Sequence, residues 1–365
     1  MRILHYHPDN PQGMTDKYVA TLCDSMDGEY QNEHTQEAAE AKDRLTNGHY
    51  DILHLHGCWH NSFRSAARIA RSKGTRLVVT PHGQLEPWVI SENYWREKLP
   101  KKLIYQRQLI RQAYAVVVQG RMEEECLHNL GWNSRTVIIK NCLVTQAISP
   151  DDMARQTAQL YRMVMDSNTL ELMTGDTRHT LRQLLKAGIT GDSRWLREQC
   201  VTITDAEQWR MVYCWAEQEH VGHIVRKGIS ILKLQAPDID VSQAPCFLPD
   251  GYEPPTSIGQ AIGLDFSSEN QRLVATFRQL SRLARHRQLA ISHLAELDKE
   301  LREHDCAEDR LCERLQDKHL LRFAARLMQV AHDLTGLDEG FMPMQPLNDR
   351  TTRKIRAQID NRLKK

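Results

Sequence analysis

The sequence lacks a marked excess of charge of either sign and any paired cysteine motif. Its 48 lysines and arginines nearly cancel its 47 aspartates and glutamates, so no global field attracts nucleic acid or an anionic surface. It also contains no recognised nucleic-acid-binding motif, and we expect no nucleic acid partner. The nine cysteines are scattered without a C-x-x-C pair, which is typical of reduced thiols in a cytoplasmic protein and not of a disulfide scaffold.

Two further absences concern membranes and targeting. No uninterrupted apolar run is long enough to span a bilayer. The amino terminus, MRILHYHPDN, leads directly into a short strand pattern and lacks the apolar core of a signal peptide. The sequence therefore predicts a soluble, cytoplasmic protein.

The chain has no internal repeat, and its 365 residues suggest two domains. In the first 145 residues, short runs rich in Val, Ile and Leu alternate with longer amphipathic segments, which is typical of βαβ units on a parallel sheet. The predicted strands are RILHY, DILHLH, RLVVT, AVVVQ and TVIIK. Helices are predicted over Thr15 to Met26, Asn61 to Lys73, Trp95 to Gln112 and Arg121 to Leu130. Residues 1–145 are therefore predicted to form a Rossmann-like α/β domain with a ligand cleft beyond the carboxyl ends of its strands.

The remainder, residues 146–365, is predicted to be mainly helical. Capping boxes are predicted at Thr204 to Glu207 and Ser268 to Gln271, and at least two long amphipathic helices lie between Ser268 and Leu334. A segment rich in Pro, Gly, Asp and Ser near residues 235–262 predicts a long loop.

Two predicted strands end in the same dipeptide. In DILHLHGCWH, His54 and His56 alternate and so share one face, with His56 at the carboxyl end and Gly57 permitting a tight turn. In RLVVTPHGQLEPW, a second strand is followed by His82 and Gly83, again with a tryptophan downstream. Since parallel strands end at one edge, both His-Gly turns should point into one cleft, with Trp59 on its rim.

Three interpretations of these histidines remain open from the residues alone. A metal site is one, because His54, His56, His60, His82 and Cys58 have suitable ligand atoms, although their spacing matches no tetrahedral zinc pattern. Strand ends with incidental histidines that satisfy loop carbonyls are the second. The third, a cleft floor on which neutral imidazoles bind a polar ligand, is the prediction we adopt, with no metal.

The segments HLHGCW, VVTPHGQLEPW, WREKLPKKLIYQRQLIRQA and VVVQGRMEEECLHNLGWNSRTVIIKN together resemble the N-terminal domain of family 4 glycosyltransferases. The resemblance runs from Met1 to about Asn141. It implies the amino-terminal, acceptor-side half of a GT-B fold and a retaining enzyme that uses a nucleoside diphosphate sugar as donor substrate, without a further cofactor. The reaction would transfer the sugar to a glycan or lipid-linked acceptor in polysaccharide or glycoconjugate assembly.

The same resemblance implies roles for individual residues. His82 would lie beside the reacting sugar as the catalytic residue, and Gly57 and Gly83 would let the backbone approach it. From their positions at the first His-Gly turn, and not from the resemblance, His56 and Trp59 are also predicted to line the substrate site. Gly13 stands in the loop whose amides approach the donor diphosphate, where the family usually has two glycines.

The second half departs from the family pattern. It shows neither a second βαβ alternation nor a Gly-rich segment leading into a Glu-x7-Glu pair. Glu300 and Glu308 have that separation, but they lie in a charged helical run and are predicted to face solvent. Two functions therefore stand: a glycosyltransferase, or a noncatalytic protein on a glycosyltransferase N-domain whose helical half binds a protein partner.

A basic run at residues 88–111 interleaves Trp, Tyr, Leu and Ile with Lys and Arg. This composition suits peripheral contact with the inner face of an anionic membrane, where a lipid-linked acceptor would be found. An ordinary amphipathic helix covering the sheet would have a similar composition, so both interpretations remain.

Overall fold

One parallel sheet organises the amino-terminal part of the protein in this computed structural model. Its strands are β1 (Arg2–Tyr6), β2 (Gln31–Thr35), β3 (Ile52–His56), β4 (Arg76–Thr80), β5 (Ala115–Val118) and β6 (Thr136–Ile138). They lie in the order β2-β1-β3-β4-β5-β6, and every pairing is parallel. The structure describes residues 1–8, 13–26, 28–91, 98–197, 203, 205–263 and 266–364. The predicted Rossmann-like sheet is confirmed.

Strand β2 is the one strand that the sequence pattern does not predict. Its residues, QNEHT, include no aliphatic or aromatic side chain, because β2 lies at the edge of the sheet and only Thr35 is buried. The helix that follows it, Ala38–Asn47, is also not predicted, since only Ala41 and Leu45 of its residues are buried.

Eight described helices accompany the strands in the amino-terminal part of the chain. They are α1 (Met14–Asp24), α2 (Ala38–Asn47), α3 (Ser62–Ser72), α4 (Pro87–Ser91), α5 (Leu99–Lys101), α6 (Arg107–Gln112), α7 (Arg121–Leu130) and α8 (Pro150–Asp166). A π-helical turn, Lys102–Gln106, joins α5 to α6. The helix predicted over Trp95 to Gln112 is therefore three consecutive pieces, and its residues 95–97 lie outside the described residues.

The two faces of the sheet differ in composition. One face contributes Leu4, Tyr6, Leu53 and Leu55 to an apolar core shared with α2, α3, α6 and α7. Because side chains alternate along a strand, the opposite face carries the histidines of β1 and β3. These histidines pack against aromatic side chains of α1 and α8. The sheet thus has an apolar face and a histidine face.

The chain divides into two units. The amino-terminal unit comprises Met1–Met165 with Pro245–Phe247, and the helical unit comprises Asp166–Ala244 with Leu248–Lys365. The first unit extends past the predicted boundary at residue 145, because Tyr161 of α8 packs against the histidine face. Phe247 joins it through ring contact with Tyr114.

The helical unit contains no strand among its described residues, which confirms a mainly helical second half. Its helices are α9 (Gly175–Thr190), α10 (Ala206–Gln218), α11 (Gly222–Leu232), α12 (Ile258–Ile262), α13 (Glu269–Arg285), α14 (Ile291–Glu303), α15 (Glu308–Asp317), α16 (Leu321–Thr335) and α17 (Arg350–Asp360), with short 3-10 turns at Thr169–Glu171, Ser193–Arg197 and Glu339–Phe341. Four of them, α13 to α16, occupy the region where at least two were predicted.

The predicted helix starts are partly correct. Ser268 caps α13 by accepting a hydrogen bond from the Gln271 backbone N–H at 3.4 Å. Asp205 caps α10, and the Thr204 predicted for that role lies outside the described residues. In the region of the predicted loop near residues 235–262, residues 235–257 lie in no helix or strand, and α12 begins at Ile258.

Helices α9 and α11 cross closely because a glycine faces the other helix on each side. A Cβ atom on Gly188 would lie 2.1 Å from the Ile224 carbonyl oxygen. One on Gly228 would lie 2.1 Å from the Leu184 carbonyl oxygen. Neither position can hold a larger residue unless the helices move apart.

Candidate functional site

The two His-Gly turns meet at the carboxyl edge of the sheet. Strands β3 and β4 are neighbours, with His56 opposite Thr80 in the register, and the second turn begins two residues later. The His56 and His82 rings stack with centroids 5.4 Å apart, and His56 Nδ1 lies 3.2 Å from His82 Nε2. The structure thus brings together the two histidines that the sequence predicts to share a cleft.

Both turns adopt left-handed backbone conformations. Gly57 and Gly83 have φ angles of 105° and 77°, which glycine adopts without strain. Trp59 and His82 have φ angles of 67° and 54°, which are uncommon for residues with a side chain and cost energy. Such strain persists only where neighbouring groups impose the conformation.

Hydrogen bonds hold the first turn in this strained form. The Cys58 backbone N–H donates to Gln84 Oε1 at 2.6 Å, and the Trp59 indole N–H donates to the Gln84 carbonyl at 3.2 Å. The Trp59 backbone N–H donates to Gln106 Oε1 at 2.8 Å, and the Tyr105 hydroxyl donates to the Trp59 carbonyl at 2.5 Å. Two consecutive residues of the π-helical turn, Tyr105 and Gln106, therefore hold the backbone of Trp59 in place. Such turns occur frequently at functional sites.

Three histidines on the histidine face are buried beneath the turns: His5, His54 and His56. His5 Nδ1 lies 3.0 Å from His56 Nε2. His54 is bonded to the Tyr161 hydroxyl through Nδ1, at 2.6 Å, and to Thr80 Oγ1 through Nε2, at 2.7 Å. Buried polar groups are tolerated when they are paired in this way.

Burial keeps these imidazoles neutral. It lowers the pKa of His5 to about 4, against the hydrogen bond to Asn32, which raises it. Burial also lowers the pKa values of His54 and His56 well below the ordinary value, and repulsion from neighbouring imidazoles adds to both shifts. Each of the three rings thus carries a single proton at neutral pH.

These three rings also form the group of potential metal ligands in the described part of the chain. One ligand nitrogen from each lies within 4.8 Å of the others. However, both nitrogens of all three rings are already hydrogen-bonded within the unit. A metal ion would have to displace a bond from each ring, so the geometry favours a hydrogen-bonded cluster. His60 is not part of this group of three rings, and its ring centroid lies 5.3 Å from that of Phe63.

Helix α1 approaches the same site. Its N-cap residue is Gly13, whose backbone is extended, and residues 9–12 of the preceding loop lie outside the described residues. Tyr18 lies in the second helical turn of α1, and its ring is edge-on to that of His82 with centroids 4.8 Å apart. The amino-terminal half of α1 therefore lies beside the second turn.

A buried carboxylate near the second turn is not predicted by the sequence. Glu123 is 1 % exposed and its Oε2 accepts a hydrogen bond from the Gln119 backbone N–H at 3.3 Å. Burial raises its pKa to about 6, against the backbone N–H groups of Gln119, Leu85 and Gly83, which lower it. In the sequence it stands among three consecutive glutamates at the start of α7, so no pattern distinguishes it.

We expect Glu123→Gln to stabilise the protein at pH 8 by about 2 kcal/mol, since each pKa unit corresponds to about 1.4 kcal/mol. The folded-state pKa of about 6 lies above the ordinary 4.5, so the stability from this group is present below pH 4.5 and is lost as the pH rises through 6. Urea unfolding at pH 5 and pH 8 measures the effect. Glu125→Gln, at an exposed position of the same helix, is the control. A glutamine variant less stable than wild type at pH 8 would contradict this account.

The Glu300 and Glu308 pair does not form a solvated helix face, and that prediction is wrong for Glu300. Its side chain is buried, accepts a hydrogen bond from Thr276 at 3.1 Å and forms an ion pair with Arg272 at 3.1 Å. Glu308 begins the next helix and is exposed. The charged run in the sequence does not indicate that Glu300 is buried, because its cationic partner, Arg272, lies on another helix.

The basic run at residues 88–111 has exposed apolar side chains in its described part. Trp88, Leu103 and Ile104 are 55 %, 74 % and 59 % exposed. Arg107 and Arg111 are also exposed, whereas residues 92–97 lie outside the described ones. None of the described helices combines the length and the apolar character needed to cross a membrane.

Comparison with known proteins identifies the domain that carries both turns. Residues 34–142 match the family model of the glycosyl transferase 4-like domain, a range that runs from β2 past the end of β6. The carboxyl-terminal half has no family match. No curated protein and no solved structure gives a significant match to the chain. The amino-terminal unit therefore contains a glycosyltransferase 4-like domain.

Proposed function

We propose that this protein transfers a sugar from a nucleoside diphosphate sugar to a glycan or lipid-linked acceptor, in polysaccharide or glycoconjugate assembly. One observation carries the proposal: the two His-Gly turns of a glycosyltransferase 4-like domain converge at the carboxyl edge of its sheet, with His82 Nε2 3.2 Å from His56 Nδ1. In parallel α/β sheets this edge is where ligands bind.

The chemistry of glycosyl transfer agrees with the groups at this edge. The sugar gains positive charge and the departing phosphate negative charge in the transition state, so the sugar needs neutral polar contacts and the phosphate needs donors. We assign His82 to the reacting sugar, because its ring is polar and half-buried. Gly57 and Gly83, which present no side chain, would let the sugar approach the backbone, between His56 and Trp59.

The start of α1 is our candidate for the donor diphosphate. Helix amino termini carry partial positive charge and free N–H groups, and Gly13 exposes those groups without a side chain. The family's acidic donor-binding pair has no counterpart at Glu300 and Glu308, because Glu300 is engaged with Arg272 and Thr276. We therefore expect donor binding by the isolated protein to be weak.

Calorimetric titration of the full chain with a panel of UDP- and GDP-sugars tests this function. Saturable binding by wild type, reduced at least about tenfold in His82→Ala, would support it. His49→Ala, at an exposed position of the same unit, is the matched control and should bind as wild type does. Absence of binding across the panel, together with a stable protein partner recovered through residues after 149, would favour a noncatalytic role for the helical half instead.

A lipid-linked acceptor would require contact with a membrane surface, and we assign this contact to the exposed residues Trp88, Leu103 and Ile104. Apolar side chains beside Arg107 and Arg111 suit an anionic interface. We expect the double variant Leu103→Ser and Ile104→Ser to reduce cosedimentation with vesicles containing anionic phospholipid by at least about tenfold, since each buried methylene contributes about 0.8 kcal/mol and the loss of two of them already accounts for that factor. The control is Met122→Ser, an exposed apolar position outside the run. Equal sedimentation of the double variant and wild type would exclude this surface.

A further inference from the structure

Four hydrogen bonds link five side chains into one chain that crosses the sheet. They join Asn32 of β2, His5 of β1, His56 of β3, His82 after β4 and Gln119 after β5. The distances are 3.2 Å from Asn32 Oδ1 to His5 Nε2, 3.0 Å from His5 Nδ1 to His56 Nε2, 3.2 Å from His56 Nδ1 to His82 Nε2, and 2.8 Å from His82 Nδ1 to Gln119 Nε2. Every ring in it uses both nitrogens.

The orientation of the Asn32 amide sets which atom donates and which accepts at its end of this hydrogen-bond chain. Its side-chain Nδ2 donates to Met26 Sδ at 3.3 Å and to the Tyr30 carbonyl at 3.5 Å, so Oδ1 faces His5. An amide oxygen only accepts, and His5 Nε2 must therefore carry the proton. Because the ring is neutral, His5 Nδ1 is an acceptor.

The direction then passes from ring to ring. His56 Nε2 must donate to His5 Nδ1, which leaves His56 Nδ1 as the acceptor for His82 Nε2–H. His82 Nδ1 in turn accepts from the side-chain N–H of Gln119. All four bonds are made with one proton on each ring. Reversing them would require both terminal amides to turn over, and Asn32 would lose its two donor contacts.

We propose that this chain acts as one directional unit that fixes the tautomer of His82, with the proton on Nε2, and that Asn32 and His5 are positioning residues for His82. Hydrogen bonds in series polarise one another, so the direction set at the buried end is maintained at the cleft. The imidazole at the cleft thus has one permanent acceptor atom, Nδ1.

This direction has a consequence for the ligand, which rests on the proposed function. Gln119 and His82 are both half-buried at the edge of the sheet, so a ligand group that replaces Gln119 meets an acceptor. Such a group must bring its own proton, as a sugar hydroxyl does. A deprotonated phosphate oxygen has none and is not accepted there.

Long-range proton–nitrogen NMR of the full, unliganded chain with 15N-labelled histidine tests the tautomers directly. Signals are assigned through His5→Gln, His56→Gln and His82→Gln. We expect His5, His56 and His82 each to show a protonated Nε2 and an unprotonated Nδ1. A neutral Nδ1–H form at any of the three would overturn the proposal. Because no substrate is present, this result is independent of whether glycosyl transfer is observed.

Two variants at the far end distinguish a chain from separate pairs. Asn32→Leu removes the fixed acceptor two rings away from His82, and we expect both nitrogen signals of His82 to move toward the average of the two tautomers. Asn32→Asp still accepts and should leave the His82 signals as in wild type. If Asn32→Leu alters His5 alone, the bonds are not coupled and the proposal fails.

Discussion

Between pH 6.5 and pH 5 the amino-terminal unit is expected to lose stability steeply, because His5, His54 and His56 are buried as neutral rings. Burial lowers all three pKa values from the ordinary 6.5, to about 4 for His5, so the unfolded chain binds protons that the folded unit excludes. Their contribution is fully present above pH 6.5 and is lost as the pH falls toward the folded-state values. In this window each such ring lowers the free energy of unfolding by about 1.4 kcal/mol for each unit by which the pH falls. Three rings together lower it by about 4 kcal/mol per pH unit.

Urea unfolding at pH 7, 6 and 5, followed by hydrogen exchange of the β1 and β3 amides, measures this slope. His5→Gln should reduce it by about one third, because glutamine stays neutral at every pH in the series. The exposed His49→Gln should leave the slope unchanged. Equal slopes for His5→Gln and wild type would show that His5 is protonated in the folded unit, against its burial.

Gly228→Ala is expected to destabilise the helical unit by about 3 kcal/mol, a cost typical of overpacking in a filled interior. The new methyl group would lie 2.1 Å from the Leu184 carbonyl oxygen, a backbone atom that cannot rotate away. In a helix interior alanine is more favourable than glycine by about 1 kcal/mol. A loss of stability in Gly228→Ala would therefore come from the crossing of α9 and α11 and not from helix propensity.

Urea unfolding followed by the fluorescence of Trp209 and Trp215, which are buried in the same core, reports the change. Gly340→Ala is the matched control, since its added Cβ has no atom within 4 Å. If Gly228→Ala proves as stable as wild type, the close approach of α9 and α11 is incorrect.

Sequence patterns predict those elements whose burial leaves a periodic signal. The strands of the sheet interior are rich in Val, Ile and Leu because both of their faces are covered, and they are identified correctly even where β3 also carries histidines. Strand β2 is not predicted because it is an edge strand, which pairs only with β1 among the described strands. Its residues are polar and mostly not buried, so they leave no apolar pattern. The π-helical turn is also missed, since one inserted residue hardly changes the amphipathic pattern.

The sequence predicts only those parts of the candidate site whose residues are neighbours along the chain. The paired His-Gly turns are visible because each immediately follows a strand, and the shared edge follows from parallel topology. His5 and Tyr161 carry no local signal, as their partners His56 and His54 are 51 and 107 residues away in sequence. The bonding direction of the imidazoles depends on Asn32, whose role appears only once β2 lies beside β1.

Turnover of a nucleoside diphosphate sugar by the full chain, with and without membrane extract as acceptor source, tests the central claim that the paired turns form a glycosyl-transfer site. Release of the nucleoside diphosphate is measured for wild type, His82→Ala and the control His49→Ala. We predict release by wild type and His49→Ala, and a loss of at least about 100-fold in His82→Ala, the scale expected when a polar contact to the transition state is removed. Equal release by wild type and His82→Ala would contradict the account.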